Sequence, residues 1–384
     1  MPRVQEFLRS FGPAWVVMIA DVDAPSILTA ATAGAAYGYG LAWFFLILVV
    51  PLFVIQEVSG RIGIATGKGL GEVIRTTYSR RTAVLASAPM ALVDIVSYVA
   101  EYTGIAIGGE LVGVPPVVSM PLAYFAHILI IRKRSYVSIE KMLLAISTVL
   151  ILSYAGSLVA RGLTSSSLAY FSSDPSYLFL LAASAGAVVM PFMLFYQASA
   201  TAEKGRVRLW AMRTETLIGA VASEVGMVVI MMATAGLGTS AGFASAAVLS
   251  QALSTVANSF APYLFAVGLV AAAFLALVVI SMGSSWAVVE AMGWKKSSFF
   301  WVYVLESLPA VAVPIISPDP LSLVLGLMVA FVFVLAGPGL LMGRVASDSR
   351  VMGDLASRGA LKAAYWVSLA ATLSFGVVAV LARL

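Results

Sequence analysis

Apolar segments of about 20 residues recur along the whole chain, and a helix of that length can cross the hydrocarbon core of a membrane. The composition agrees with this reading. Of the 384 residues, 61% are hydrophobic and 11% are charged, against roughly 45–50% and about 25% in soluble domains. We therefore predict an all-α, multi-pass protein of the cell (cytoplasmic) membrane. The same balance excludes a soluble enzyme and a nucleic-acid-binding protein, since the latter needs dense basic clusters.

The apolar segments can be counted as eleven transmembrane helices with short connections. A shorter apolar stretch, 244–257, is interrupted by Ser and Gln and is predicted to lie along the membrane interface. The eleven predicted spans are 12–38, 40–58, 82–112, 114–131, 138–160, 176–201, 209–236, 261–291, 298–316, 320–342 and 360–382.

The basic residues test this count independently, because Lys and Arg accumulate on the cytoplasmic side of membrane proteins. With the N-terminus in the cytoplasm and the loops alternating, 21 of the 23 Lys and Arg residues fall inside. The exceptions are Arg161 and Arg383. A wrong number of spans would break the alternation partway along the chain. We therefore predict eleven spans, with the N-terminus in the cytoplasm and the C-terminus outside.

Two of the predicted spans are interrupted in the middle of their apolar segment. Span 1 contains Asp21, Asp23 and Pro25, and a carboxylate at the centre of a bilayer is costly enough to indicate a function. Span 6 contains Pro191 at a similar depth. Proline removes a helix hydrogen bond and clashes with the preceding turn, so we expect both helices to break there. Interrupted helices at matching positions are typical of transporter substrate sites.

The spacing of the two interrupted spans predicts an internal repeat. Spans 1 and 6 are five apart, and a repeat with an odd number of spans must be inverted relative to its partner. We therefore predict a first five-helix repeat in residues 1–161, a second, inverted repeat in residues 162–343, and an additional eleventh span in residues 344–384.

The groups at the two interruptions are suited to binding a cation. A broken helix frees carbonyl oxygens, and those near Asp23 and Ala187 are joined by the Ser26 hydroxyl and the Met190 thioether. Hard ions such as Mg²⁺ and Na⁺ gain little from sulfur, whereas divalent transition metals accept it. The predicted metal site therefore contains one or two carboxylates, from Asp23 and Asp21, together with the Ser26 hydroxyl, the carbonyls near Asp23 and Ala187, and the Met190 sulfur.

Few side chains are available for catalysis or for holding a cofactor. The sequence contains no cysteine and a single histidine, His127, which excludes iron–sulfur clusters and the HExxH type of metalloprotease. We therefore predict neither enzymatic activity nor a cofactor. His127 lies near the end of span 4 and is expected at the membrane interface. Glu215 and Glu224 of span 7 receive no role.

The sequence around the interruptions resembles the Nramp family of divalent-metal transporters, and the resemblance extends over most of the chain. Residues 34–39 (GAAYGY) match the family's G-A-x-Y-G-Y run, which places residues 23–26 (DAPS) on its D-P-G-N motif. Residues 186–191 (GAVVMP) match G-A-x-x-M-P, and residues 100–104 (AEYTG) match A-E-x-x-G. The combination of these matches is specific, although each of them alone is weak.

The resemblance implies a fold and a role for each matched residue. The fold is the LeuT-type 5+5 inverted repeat, in which the broken spans 1 and 6 rock against a scaffold of spans 3, 4, 8 and 9. Asp23 matches the metal-binding aspartate and Ser26 matches an asparagine ligand. The Ala187 carbonyl and the Met190 sulfur match the two ligands of span 6. Glu101 matches an acid that serves proton transfer.

The sequence departs from the family pattern at the positions that carry protons. The histidines expected in span 6 are replaced by Phe192 and Gln197, and the acid expected three residues before Glu101 is Tyr98. Histidine is the usual proton relay near neutral pH, so any proton coupling needs other groups. Further candidates for binding a metal ion or a proton are Asp21, Glu101, Asp94 and Gln197.

Three cargoes agree with these observations. The retained Met190 favours import of Mn²⁺- or Fe²⁺-like ions, with protons as possible co-substrates. The replacement of asparagine by Ser26 and the additional Asp21 leave open an Nramp-related transporter of Mg²⁺. A Na⁺-coupled carrier of amino acids or other organic solutes is the third hypothesis, and Asp21 and Asp23 disfavour it because they would repel a substrate carboxylate. The expected partners are divalent metal ions, protons and the lipid bilayer.

Overall fold

The computed structural model describes residues 2–132, 135–164, 166–237, 254, 259–316 and 321–381. Within these ranges the regular structure is entirely helical, which confirms the predicted all-α class. The predicted interfacial stretch 244–257 lies outside the described residues, apart from residue 254.

The helices are numbered here in chain order through the described residues. They are α1 (Pro2–Ser10), α2 (Pro13–Ala20), α3 (Ala24–Tyr37), α4 (Ala42–Thr66), α5 (Leu70–Thr77), α6 (Arg80–Leu111), α7 (Pro116–Arg132), α8 (Tyr136–Arg161), α9 (Pro175–Val188), α10 (Pro191–Lys204), α11 (Leu209–Thr234), α12 (Ala261–Met292), α13 (Ser298–Ser307), α14 (Val313–Ile316), α15 (Leu321–Ser347), α16 (Ser349–Met352) and α17 (Gly359–Leu381). Two short 3₁₀ segments, Leu308–Val311 and Gly353–Leu355, follow α13 and α16.

The described helices include many that can cross a membrane. Eight are long and apolar enough by length and composition, and two strongly bent pairs bring the number to ten. The apolar helix α7 is shorter, with 17 residues. Each of the eleven predicted spans overlaps one of these ten units or α7. The chain is therefore a multi-pass helical membrane protein.

Both interrupted spans are divided into two half-helices. In span 1, α2 ends at Ala20 and α3 begins at Ala24, and the two axes are bent by 51°. In span 6, α9 ends at Val188 and α10 begins with Pro191. Pro25 lies in the first turn of α3 and Pro191 in the first turn of α10. Proline is tolerated there because the first amides of a helix have no intrahelical partner. Each proline therefore starts a second half-helix.

The two broken spans lie antiparallel in the centre of the molecule. The half-helix α2 packs against α10, and α3 packs against α9. The long helix α11 packs against both α2 and α3. On another side, α6 approaches the start of α3 at Gly104, where an added Cβ would lie 2.4 Å from the Cβ of Ala24. A glycine at this position therefore allows α6 to contact the break directly.

Candidate metal centre

Asp23 precedes α3, and its side chain caps the start of that helix. Its Oδ1 accepts a hydrogen bond of 2.8 Å from the Ser26 amide. This bond satisfies a free amide of α3 and fixes the direction of the carboxylate. Asp23 is 1% exposed, and a charge removed from water needs a compensating partner. A bound cation would supply that compensation.

The other predicted ligands are buried at the same two breaks. The Ser26 hydroxyl has no hydrogen-bond partner among the described residues. Ala187 lies in the last turn of α9, where the carbonyl oxygens have no helical amide to bind. Met190 immediately precedes α10 and is fully buried. Because α3 packs against α9 and α2 against α10, the structure places all four residues on elements that contact one another.

The donor set is mixed rather than acidic. In the part of the chain that the structure describes, no three or more His, Cys, Asp and Glu side chains are grouped around a possible ion position. The breaks instead offer one capping carboxylate, an unpartnered hydroxyl, a free carbonyl region and a thioether. Such a combination of hard and soft donors suits a divalent transition metal better than a purely hard ion.

Glu101 connects α6 to the first break. Its Oε2 accepts a hydrogen bond of 3.2 Å from the Ala24 amide, and the residue is fully buried. Its carboxyl group is also a neighbour of the Asp23 carboxyl group. Two adjacent buried carboxyl groups cannot both carry a charge unless a cation lies between them. The pair is therefore suited to hold a metal ion or a shared proton.

Asp21 ends the first half-helix and faces α11. Its Oδ2 accepts a hydrogen bond of 2.8 Å from the Ser223 hydroxyl, whereas its Oδ1 has no partner in the described part of the chain. Glu224 lies close by, and both of its buried oxygens also lack a hydrogen-bond partner there. Sequence reasoning gave Ser223 and Glu224 no role, because nothing in the sequence shows which face of α11 meets span 1.

Glu215 has a structural role that the sequence did not reveal. Its Oε1 accepts hydrogen bonds from the amides of Gly12, at 2.6 Å, and Trp15, at 2.8 Å. Gly12 has φ 145°, a conformation that favours glycine. The first turn of α2 is therefore capped by a residue about 200 positions away instead of by a neighbour. The cap was invisible because it depends on how α11 packs against α2.

The structure separates two further candidates from the breaks. Gln197 lies seven residues after Met190, about 10 Å along α10, and donates a hydrogen bond of 3.2 Å to Thr216 of α11. Asp94 lies seven residues before Glu101 on α6, and its carboxyl group faces Ser284 and Glu306.

His127 was expected at the membrane interface, and the structure encloses its side chain within the helix bundle. It is fully buried between α6 and α13, with its Nδ1 3.3 Å from the Tyr102 hydroxyl. The Tyr303 hydroxyl donates to the His127 backbone carbonyl at 3.2 Å. Three tyrosine rings, those of Tyr102, Tyr124 and Tyr303, enclose the imidazole.

The fold is similar to that of several solved membrane transporters. The Eremococcus coleocola manganese transporter, in complex with an aromatic bis-isothiourea substituted compound, has a TM-score of 0.81 at 17% identity, and the match covers 97% of this chain and 86% of that one. MhsT in complex with L-phenylalanine has a TM-score of 0.64 at 12% identity, covering 97% and 98%. Mhp1, a nucleobase-cation-symport-1 family transporter in a closed conformation with bromovinylhydantoin bound, has a TM-score of 0.60 at 11% identity, covering 97% and 91%. At these identities the likeness establishes the fold, which is LeuT-like.

The family is established by the sequence itself. The model of the natural resistance-associated macrophage protein-like family, Nramp, matches residues 14–382, which include both breaks. Members of this family are transporters rather than enzymes, and divalent metal ions are their substrates rather than cofactors. The predicted resemblance and the predicted lack of enzymatic activity are thus confirmed. The chain belongs to the Nramp family of divalent-metal transporters.

Proposed function

We propose that this protein imports divalent transition-metal ions, Mn²⁺ or Fe²⁺, across the cell membrane into the cytoplasm. The observation that carries the proposal is the placement of a buried, capped Asp23 and a buried Met190 at the breaks of two spans that pack antiparallel. A carboxylate and a thioether on opposing half-helices form a site that both halves must share.

Each proposed ligand contributes a different property. The Asp23 carboxylate supplies the charge that attracts a divalent cation. The Ser26 hydroxyl and the Ala187 carbonyl replace part of its hydration shell with neutral oxygens. The Met190 sulfur favours a transition metal over Mg²⁺ or Ca²⁺, because hard cations prefer oxygen.

We further propose alternating access between two inverted five-helix repeats, residues 1–161 and 162–343, with residues 344–384 as an additional span. The half-helices of spans 1 and 6 would move against a scaffold of spans 3, 4, 8 and 9. The antiparallel packing of α2 on α10 and of α3 on α9 supports an inverted relation between the two halves. The distribution of Lys and Arg supports eleven spans with a cytoplasmic N-terminus.

Proton exchange is proposed at the pair formed by Asp23 and Glu101. When a metal ion binds Asp23, its charge compensates both neighbouring carboxyl groups, and a shared proton becomes unnecessary. When the metal leaves, a proton between the two groups offsets their repulsion. Glu101 also holds the Ala24 amide at 3.2 Å, so its charge state acts directly on the break.

Uptake of radioactive Mn²⁺ into proteoliposomes tests the proposal. We expect saturable uptake that Asp23→Ala abolishes and that Glu110→Gln, an exposed acid on α6, leaves unchanged. Inhibition by Fe²⁺ but not by millimolar Mg²⁺ is expected. Equal inhibition by Mg²⁺ would favour the hard-cation alternative to which Asp21 and Ser26 point. Uptake of amino acids in place of metal would reject the proposal.

A further inference from the structure

A second group of buried acidic and hydroxyl side chains lies apart from the helix breaks. It is contributed by α6, α12 and α13, three helices that pack against one another. We call this group the scaffold acid cluster. Its members are Asp94 and Tyr98 of α6, Ser281 and Ser284 of α12, and Glu306 of α13.

The polar groups of the scaffold acid cluster are neighbours of one another, with few hydrogen bonds between them. Asp94 is fully buried, and neither of its carboxylate oxygens has a hydrogen-bond partner among the described residues. The hydroxyls of Ser281 and Ser284 are equally buried and equally unpartnered there. One direct hydrogen bond joins two of the members, since the Tyr98 hydroxyl donates to Glu306 Oε2 at 3.2 Å. Buried polar groups are rarely left unsatisfied, because each one costs about 1–3 kcal/mol.

The charge of the scaffold acid cluster is also uncompensated. Asp94 and Glu306 are neighbours, and neither takes part in any ion pair formed by the described residues. Tyr98 faces both carboxyl groups. The titratable groups on the adjoining turns of α6, α7 and α13 are Glu101, Tyr102, His127 and Tyr303, of which Glu101 lies about one turn beyond Tyr98 and about two turns beyond Asp94. None of these supplies a fixed positive charge.

We propose that the scaffold acid cluster binds one monovalent cation, a proton or Na⁺, at a site separate from the metal centre. Its donors are four carboxylate oxygens and three hydroxyls, with neither sulfur nor imidazole among them, and such donors suit a hard cation. One positive charge here would offset the repulsion between Asp94 and Glu306.

The position of the site allows cation binding there to act on the metal centre. Its three helices correspond to the predicted spans 3, 8 and 9, which belong to the scaffold. Glu306 is half-buried and gives the enclosed Asp94 a connection to the surface of the bundle. Helix α6 carries both Asp94 and Glu101, so occupancy of the cluster can act on the metal centre through one rigid element. This coupling rests on the proposed function, whereas binding of the cation does not.

Cation binding to the purified full-length chain tests the inference without any transport. We expect saturable binding of radioactive Na⁺ in metal-free buffer, weakened at least about tenfold by Asp94→Asn or Glu306→Gln, since each change removes a charged ligand. Ser284→Ala, which removes a single hydroxyl, provides a milder variant whose fold is easier to preserve. Glu110→Gln is the matched control, because Glu110 is an exposed acid at the far end of the same helix.

A second arm of the experiment distinguishes a proton from Na⁺. Metal-free proteoliposomes without Na⁺ receive a negative-inside K⁺ diffusion potential, and proton entry is followed with an internal pH dye. If the cluster binds protons, Asp94→Asn and Glu306→Gln reduce this entry whereas Glu110→Gln does not.

The outcomes separate this inference from the proposed function. Loss of Na⁺ binding in the variants assigns Na⁺ to the site, and loss of proton entry assigns a proton. The inference would be overturned if neither Na⁺ binding nor proton entry depended on Asp94 and Glu306. Absent Mn²⁺ uptake with retained cation binding would reject the proposed function alone.

Discussion

Met190 supplies the single soft donor in the proposed metal centre, so the metal preference depends on one sulfur atom. The residue is fully buried directly before α10. Removal of its side chain would also leave a cavity, so the effect of losing a ligand could not be distinguished from the effect of losing packing. A substitution that conserves volume avoids this difficulty.

Met190→Leu is expected to lower the preference for Mn²⁺ over Mg²⁺ and Ca²⁺ by about tenfold, which corresponds to about 1.4 kcal/mol. The measurement is competition of Mn²⁺ uptake by the two hard ions. Met193→Leu is the control, since Met193 is equally buried three residues further along α10. An unchanged preference in Met190→Leu would exclude the sulfur from the site.

Individual residues differ in how well the sequence revealed them. Asp23 and Met190 could be predicted because an acid and two prolines interrupt apolar spans, and such interruptions are visible locally. Glu215, Glu224 and Glu306 could not be assigned in the same way. Their partners lie on other helices, and Tyr98 and Glu306, for example, are 208 residues apart. Helix packing alone determines which acids meet.

At the scale of helices, the contact between α6 and α3 depends on a position without a side chain. A Cβ at Gly104 would lie 2.4 Å from the Ala24 Cβ, well inside the normal contact distance of two carbon atoms. Gly104→Ala would therefore separate α6 from the break and displace Glu101 from the Ala24 amide.

We expect Gly104→Ala to destabilise the protein by about 1–3 kcal/mol, as overpacking usually does, and to reduce Mn²⁺ uptake. Thermal unfolding in detergent and uptake into proteoliposomes measure the two effects. Gly337→Ala is the control, because an added Cβ there meets no atom within 4 Å. Gly104→Ala with normal stability and normal uptake would show that this contact is unimportant.

The half-helix α2 is attached to α11 at its first turn. The Glu215 carboxyl group accepts two amide hydrogen bonds there, and a typical intramolecular hydrogen bond contributes about 0.5–1.5 kcal/mol. The Lys204 ammonium group adds a bond to the Phe11 carbonyl at the same end. These bonds hold α2 in its present position, so their loss should favour movement of α2 away from α11.

Glu215→Ala is expected to increase the accessibility of α2 from the cytoplasm. The chain contains no cysteine, so the buried Ala14 can be changed to Cys and labelled with a water-soluble thiol reagent. Loss of both amide bonds, together about 1–3 kcal/mol, should raise the labelling rate roughly tenfold or more. Glu6→Ala, which removes an exposed ion pair with Arg208, should leave the rate unchanged. If Ala14→Cys is labelled equally fast with and without Glu215→Ala, the bonds to Glu215 do not hold α2 in place.

For the whole molecule, the predicted sidedness can be tested with the same cysteine-free background. Ser167→Cys, between spans 5 and 6, should react with an impermeant thiol reagent applied from outside. Ser349→Cys, between spans 10 and 11, should react only after the membrane is opened. Both positions are exposed. The reverse pattern, or labelling of both from one side, would contradict eleven spans with a cytoplasmic N-terminus.

Most of the overall architecture could be predicted from the sequence, because the features that determine it are local and follow one another along the chain. Span length, the position of Lys and Arg, and the depth of the two interruptions can each be read along the chain. The interfacial segment 244–257 lies outside the described residues. The neighbours of each helix could not be derived, since apolar helices in a membrane carry little sequence information about which faces meet. The enclosure of His127 by three tyrosine rings could not be predicted for this reason.

The distant cap on α2 also has a consequence for hydration. Once α2 moves away from Glu215, the amides of Gly12 and Trp15 lose their acceptor, and the Glu215 carboxylate loses its donors. Water molecules are the natural replacement for both. Opening of the protein towards the cytoplasm would then take up water. An osmolyte too large to enter the opened space should slow this opening. A raised osmotic pressure would thus inhibit transport without any molecule binding to the protein.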